Sequence, residues 1–366
     1  MAVCSGEGAW RGLSKLGDRP RAQREMHIAL CVPLGGAPGL WGPSALASAR
    51  LAATELNRAN GIAGQPCRLI TVNAADDAPD IEATLIDLVS SGEIDALVGM
   101  HTSDVRQRIL GAVGGQVPFV YTPLYEGGES TPGVFAIGET PARQLRPAID
   151  WLHRNERPKR WVFVGNDYVW PRVSHRLARQ YLAACGADVV GESYLPFGTT
   201  DFAEVLDMLR RNRADAVLMS LIGQDAVDFN RAFARQGLQG RVLRLSCAIE
   251  ENGLLGIGAD NTERLYVASG YFGALDTDAN LSFKERYQGH FGERAPTLNA
   301  LGQSTYEGVH FLAALFDEGL CDRRASARPA SLSYRSARGG PGEGGHPAPV
   351  YLARADGHSF RVLTRF

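Results

Sequence analysis

From Met26 onward the chain alternates short apolar runs with longer amphipathic stretches, and the series starts afresh midway. A short apolar run bounded by turn residues reads as a strand. Apolar residues recurring every three or four positions read as one face of a helix. Repeated strand–helix–strand units point to parallel strands joined by right-handed helical crossovers, with helices on both faces of the sheet.

The first series predicts strands at His27–Val32, Cys67–Val72, Ile94–Gly99 and Val117–Tyr121. Helices fall between them, from about Ser44 to the Asn60-Gly61 stop, over Pro79–Ser90 and over Val105–Val113. In the first helix Leu46, Ala49, Ala53 and Leu56 share a face; in the second, Ile81, Leu85 and Leu88 do. The second series predicts helices at Arg146–Arg154, Pro171–Ala184, Phe202–Arg211 and Ala226–Gln236. Its strands are Trp161–Gly165, Asp188–Tyr194, Ala216–Leu221 and Val242–Ser246. Helices at Asn280–Phe291 and Tyr306–Phe316 follow the second series and are expected to return to the first. A closing hairpin is expected from Pro349–Ala353 and Phe360–Thr364, around Asp356-Gly357.

The expected fold class is therefore α/β: two similar lobes, each a parallel-stranded sheet flanked by helices, joined by hinge crossovers. Lobe 1 takes residues 27–139 and 273–320, and lobe 2 takes 140–272 and 346–366. A length of 366 residues suits two cores, since single domains usually hold about 100–200 residues. Residues 321–345, rich in Arg, Gly and Pro, read as a flexible segment.

Several classes fall away on composition. The net charge of −2 offers no basic footprint for direct nucleic-acid binding. No apolar stretch approaches the roughly 18 residues that cross a bilayer. Residues 1–26 carry four Arg and one Lys without an apolar core, and read as a disordered N-terminal extension rather than a secretory signal. Cys4, Cys31, Cys67, Cys185, Cys247 and Cys321 form no CxxC pair or zinc-like spacing with His. A bridge between Cys31 and Cys67 is conceivable, but buried free thiols are favoured. The expected compartment is cytoplasmic, or periplasmic should an export signal lie upstream.

Catalytic motifs are missing from the sequence. It holds no GxSxG, HExxH or GxxxxGK[ST] pattern, and Gly256-Ile257-Gly258 lacks the third glycine of a dinucleotide fingerprint. Asp76-Asp77 and Glu250-Glu251 are adjacent carboxylates, which on loops usually point apart into solvent. No catalytic residue, cofactor or metal is assigned.

In open parallel sheets, ligands sit at the carboxyl ends of strands, where helix N-termini offer unpaired N–H groups. The third strand ends in His101, Thr102 and Ser103. Thr102 and Ser103 suit helix N-caps, and as ligand groups their hydroxyls could meet a carbonyl or carboxylate oxygen. Tyr121, Thr122 and Tyr125 follow the fourth strand, and Tyr168 and Trp170 hold the equivalent place in the second lobe. Facing aromatics would box a small, flat, polar solute; surface aromatics at loop ends are the plainer alternative.

Four runs carry a resemblance: Leu56-Asn57-Arg58-Ala59-Asn60-Gly61-Ile62-Ala63-Gly64, Tyr121 through Gly127, Val164 through Arg172, and Tyr271-Phe272 with Leu275-Asp276-Thr277. The chain resembles the type I periplasmic-binding-protein superfamily, and within it the urea and short-chain amide binders and the cytosolic amide sensor of aliphatic amidase operons. The resemblance implies that His101, Ser103, Tyr121, Tyr168 and Trp170 match pocket positions. His101 and Trp170 stand where tyrosines are expected, and Pro123 where threonine is. Amino-acid-binding relatives hold the ammonium with an acidic residue, a part open to Glu250 or Glu251. The implied ligand is an amide, urea or an amino acid. The implied partners are a regulatory protein or an ABC permease, with self-association as a further property of amide-sensing relatives.

Overall fold

The computed structural model describes residues 25–75, 78, 80–321, 332–334, 336 and 349–366. Expectations for Cys4, for residues 1–24, for Asp76-Asp77 and for most of 321–345 lie outside the described residues.

Two sheets form, each at the heart of one lobe. The first contains β1 (Met26–Val32), β2 (Cys67–Asn73), β3 (Ala96–Gly99), β4 (Phe119–Tyr121) and β5 (Val134–Ala136), in the order β2-β1-β3-β4-β5. All its pairings are parallel. The second contains β6 (Arg160–Asn166), β7 (Asp188–Leu195), β8 (Ala216–Ser220), β9 (Leu243–Ser246), β10 (Leu265–Ser269), β11 (Tyr351–Asp356) and β12 (Ser359–Arg365). Its order is β12-β11-β10-β9-β8-β6-β7. The final hairpin joins β10 antiparallel, so this sheet is mixed at one edge.

The helices are α1 (Gly42–Ala59), α2 (Ile81–Ser90), α3 (Ser103–Val113), α4 (Pro141–Asn155), α5 (Val169–Ala184), α6 (Ala203–Arg211), α7 (Gly223–Arg235), α8 (Glu251–Ile257), α9 (Asp278–Phe291) and α10 (Ala300–Asp317). None is long and apolar enough to cross a membrane, among the described residues. The central strands β8, β9 and β10 are buried along their whole length, as strands covered on both faces must be. Helix α10, late in the chain, packs against α1 of the first lobe. Small residues allow it: a side chain at Gly302 would come 2.1 Å from the Ser44 hydroxyl of α1.

The structure adds elements that the apolar pattern did not predict: β5, β10, α8 and 3-10 turns at Ala37–Trp41, Ala259–Asn261 and Gly292–Arg294. It also starts α4 at Pro141, carrying Pro147 in the helix interior. Cys31 pairs with Val72 and Cys67 with Met26 in the β1–β2 ladder. Those positions lie about 16 Å apart along the strands, and a disulfide needs Cα atoms within roughly 7 Å. Both thiols are free and buried.

Candidate functional site

The carboxyl ends of both sheets converge on one cleft, and a small pocket lies within it. From the first lobe come Trp41, His101, Thr102, Ser103, Tyr121, Pro123 and Leu124; from the second come Tyr168, Trp170, Ile222 and Ala248. Each follows a strand: β1, β3 and β4 on one side, β6, β8 and β9 on the other.

Six expected residues meet here: His101, Thr102, Ser103, Tyr121, Tyr168 and Trp170. Thr102 is the N-cap of α3, yet its side chain makes no capping bond. Its Oγ1 is buried without a hydrogen-bond partner, as is Nε1 of Trp170 across the cleft. His101 Nε2, in the same lining, is also buried without a partner. A buried polar atom left unpaired costs about 1–3 kcal/mol, so these atoms mark a place where a solute would repay them.

His101 is buried, and its Nδ1 lies 3.0 Å from the Thr102 carbonyl oxygen. A carbonyl only accepts, so Nδ1 carries the proton. Burial pulls the imidazole pKa down to about 4, and the nearby Arg106 charge pushes the same way. The ring is therefore neutral at pH 7. Tyr121 donates to the His101 carbonyl at 2.6 Å, which fixes its hydroxyl to the loop.

Three expected residues lie elsewhere, each for a physical reason. Thr122 is fully buried behind the wall, with Oγ1 on the Gly99 carbonyl and its methyl against α10. Tyr125 packs edge-on to Tyr121, 6.2 Å between centroids, beneath the cavity. The Arg106 guanidinium covers both rings at 5.2 and 5.4 Å and pairs with Glu126 and Glu129. Glu250 lines a second small pocket on the hinge side. There its Oε2 accepts from Trp41 Nε1 at 3.2 Å, a bond that crosses the cleft.

Glu250 and Glu251 are not the solvated pair expected of loop neighbours. Burial, reinforced by the Glu251 charge, pushes the Glu250 carboxyl up to about 8. Burial raises Glu251 to about 7, although it accepts from the Gly273 amide at 2.7 Å.

The turn Ala37–Trp41 is the main first-lobe contact with the second. The Leu40 carbonyl accepts from Asn252 at 2.8 Å, and Ala37 rests on the start of α7. Gly223 makes that approach feasible: at φ +51, a Cβ there would sit 1.9 Å from the Ala37 oxygen. Trp41, Leu124, Ile222 and Ala248 were missed as wall residues. Reading the loops after β1, β8 and β9 as those after β3, β4 and β6 were read would have exposed Trp41, Ile222 and Ala248, whereas Leu124 lies in the loop after β4 and carries no polar signal.

A family model described as "Periplasmic binding protein" matches residues 25–357. Among solved structures, the chain is similar to an ABC transporter solute-binding protein from R. palustris in complex with 4-hydroxybenzoate, at 17% identity and TM-score 0.78, covering 94% of this chain and 97% of that one. It is similar to the branched-chain amino acid transporter substrate-binding protein LivJ from Streptococcus pneumoniae in complex with isoleucine, at 16% identity and TM-score 0.79, covering 93% and 99%. It is also similar to an amino acid ABC transporter substrate-binding protein from Pseudomonas fluorescens, at 17% identity and TM-score 0.76, covering 94% and 96%.

Proposed function

The chain belongs to the periplasmic binding protein family, and from that premise we propose that its two lobes close over a small, planar, uncharged polar solute of the short-chain amide or urea type. The observation that carries the proposal is the pairing of Thr102 Oγ1 with Trp170 Nε1, buried and unpartnered on opposite lobes. An indole N–H only donates, whereas a hydroxyl donates or accepts. A carbonyl beside an N–H₂ group satisfies both.

Charge supports the same choice. No side chain lining the cleft pocket is Lys, Arg, Asp or Glu, and His101 is neutral. An anion would enter an uncharged, desolvated space, which is costly without a counter-charge. An amino acid would need an ionised Glu250 facing it, but that carboxyl lies in the next cavity with its pKa raised to about 8.

Closure becomes useful when a second protein tells the closed form from the open one. The descriptions of the solved relatives as ABC transporter components favour a permease. The sequence resemblance to an amide sensor favours a regulatory protein. Ligand-dependent association with permease-bearing membranes, or with a soluble regulator, separates the two.

Thermal melting with urea, formamide, acetamide, lactamide, aliphatic amino acids and benzoate tests the solute class. A ligand at a hundredfold excess over its Kd stabilises by about 2.7 kcal/mol, which appears as a rise in Tm. A rise with the amides or urea is expected. A rise only with amino acids or benzoate would overturn the uncharged-solute reading, and no rise with any would overturn the reading altogether.

A further inference from the structure

The hinge-side pocket is unexplained by a solute bound between Thr102 and Trp170. Leu124 lines both cavities, so its half-buried side chain stands between them. Behind it are Glu139, Gln144, Glu250, Ser269 and Ser304, a set rich in acceptors. Gln144 is the informative member. It is 1% exposed, its Nε2 donates to the Ala268 carbonyl at 3.1 Å, and its Oε1 is buried without a partner. Because the amide nitrogen must face that carbonyl, the orphaned atom is the acceptor.

We propose that Leu124 is the wall that limits ligand length, and that the space behind it is a second compartment for a ligand tail bearing N–H groups. This rests on the small-solute reading above. A short head group fills the first cavity of the native protein and stops at Leu124. Removing the Leu124 side chain joins the compartments, and a tail then reaches Gln144 Oε1. The chemistry of the compartment favours a donor, as an amine or amide nitrogen, over a methyl group or a carboxylate.

Calorimetric titration of the wild type, Leu124→Ala and the milder Leu124→Val tests this, with each variant's unliganded melting curve confirming that it is folded. Three ladders are used: acetamide, butyramide and 4-aminobutyramide; acetate and butyrate; alanine and norvaline. The wild type is expected to bind acetamide and discriminate against both longer amides. Leu124→Ala should accept them, Leu124→Val should fall between, and 4-aminobutyramide, whose amine is protonated at neutral pH, should gain about tenfold or more over butyramide, the worth of a hydrogen bond from a charged donor. Gln144→Leu added to Leu124→Ala should erase that gain.

An unchanged length cut-off in Leu124→Ala, or a wild type already indifferent to length, overturns the wall. Equal affinity for the two longer amides in Leu124→Ala overturns the donor-selective compartment. Binding confined to the acid or amino-acid ladder sinks the amide reading yet still tests the wall through its own length cut-off. Binding of no ladder member by any of the proteins overturns both.

Discussion

Two atoms can be removed by single substitutions at the residue scale. Thr102→Val deletes the hydroxyl while keeping its volume, and Trp170→Phe deletes the indole N–H but also shrinks a buried ring. Each should weaken ligand binding by about tenfold or more, the net worth of one hydrogen bond, with little change in unliganded Tm for Thr102→Val and a lowered Tm for Trp170→Phe. Affinities from calorimetry check this, and two unchanged values would place the ligand elsewhere. His101 gives a signature in stability. Its pKa is held near 4, below the ordinary 6.5, so the unfolded chain takes up its proton first. The contribution of His101 is full above about pH 6.5 and is lost as pH falls toward 4. Replacing it by Gln should flatten that part of the stability–pH curve, measured by denaturant melts.

His101, Thr102, Ser103, Tyr121, Tyr168 and Trp170 were legible because a strand end followed by a helix start fixes where side chains gather. Thr122 and Tyr125 follow the same strand, yet point behind and beneath the wall. Side-chain direction after a strand depends on contacts with α10 and Arg106, which are distant in sequence. Glu250 could be found by charge, but the indole that holds it is remote in the chain.

Closure at the level of elements depends on a short turn meeting a helix start. Gly223 permits the Ala37–Trp41 turn to seat on α7. Gly223→Ala combines an unfavourable positive φ with a direct collision, a strain of about 1–3 kcal/mol in the closed form. The expected outcome is a ligand affinity lowered about tenfold or more, with a larger radius of gyration by X-ray scattering in the presence of ligand. A wild-type radius and affinity would show that this contact does not govern closure. The apolar rhythm revealed most strands and helices because burial on both faces leaves a continuous apolar run. It missed β5 because the strand is short, and α8 because Asn252, Gly253 and Gly256 dilute its apolar face. The Ala37–Trp41 turn, with Pro38 and Gly39, looks like any loop until its partner lobe is in place.

At the scale of the whole molecule, lobe closure is expected to couple to protons. The Trp41–Glu250 bond spans the cleft, and Glu250 is buried beside Glu251, with Glu139 and Cys247 lining the same space and Lys284 acting on Glu251. A carboxyl raised from 4.5 to about 8 favours the closed form fully below pH 4.5, and that support is lost as pH rises through 8. Ligand affinity should therefore decline between about pH 4.5 and 8, and Glu250→Gln should flatten the decline. Titrations across that range check it, and an equal slope in both proteins would assign the effect to another group. Two separate sheets with facing carboxyl ends could be expected from the repeated βα rhythm, whereas the second cavity could not, since it arises only where Leu124, α4 and β10 meet.

The account stands or falls on what occupies the space between the lobes. A crystal structure grown with acetamide is expected to place the amide against Thr102 Oγ1 on one side and Trp170 Nε1 on the other. An amide resting on one lobe alone, or bound outside this cleft, would contradict it.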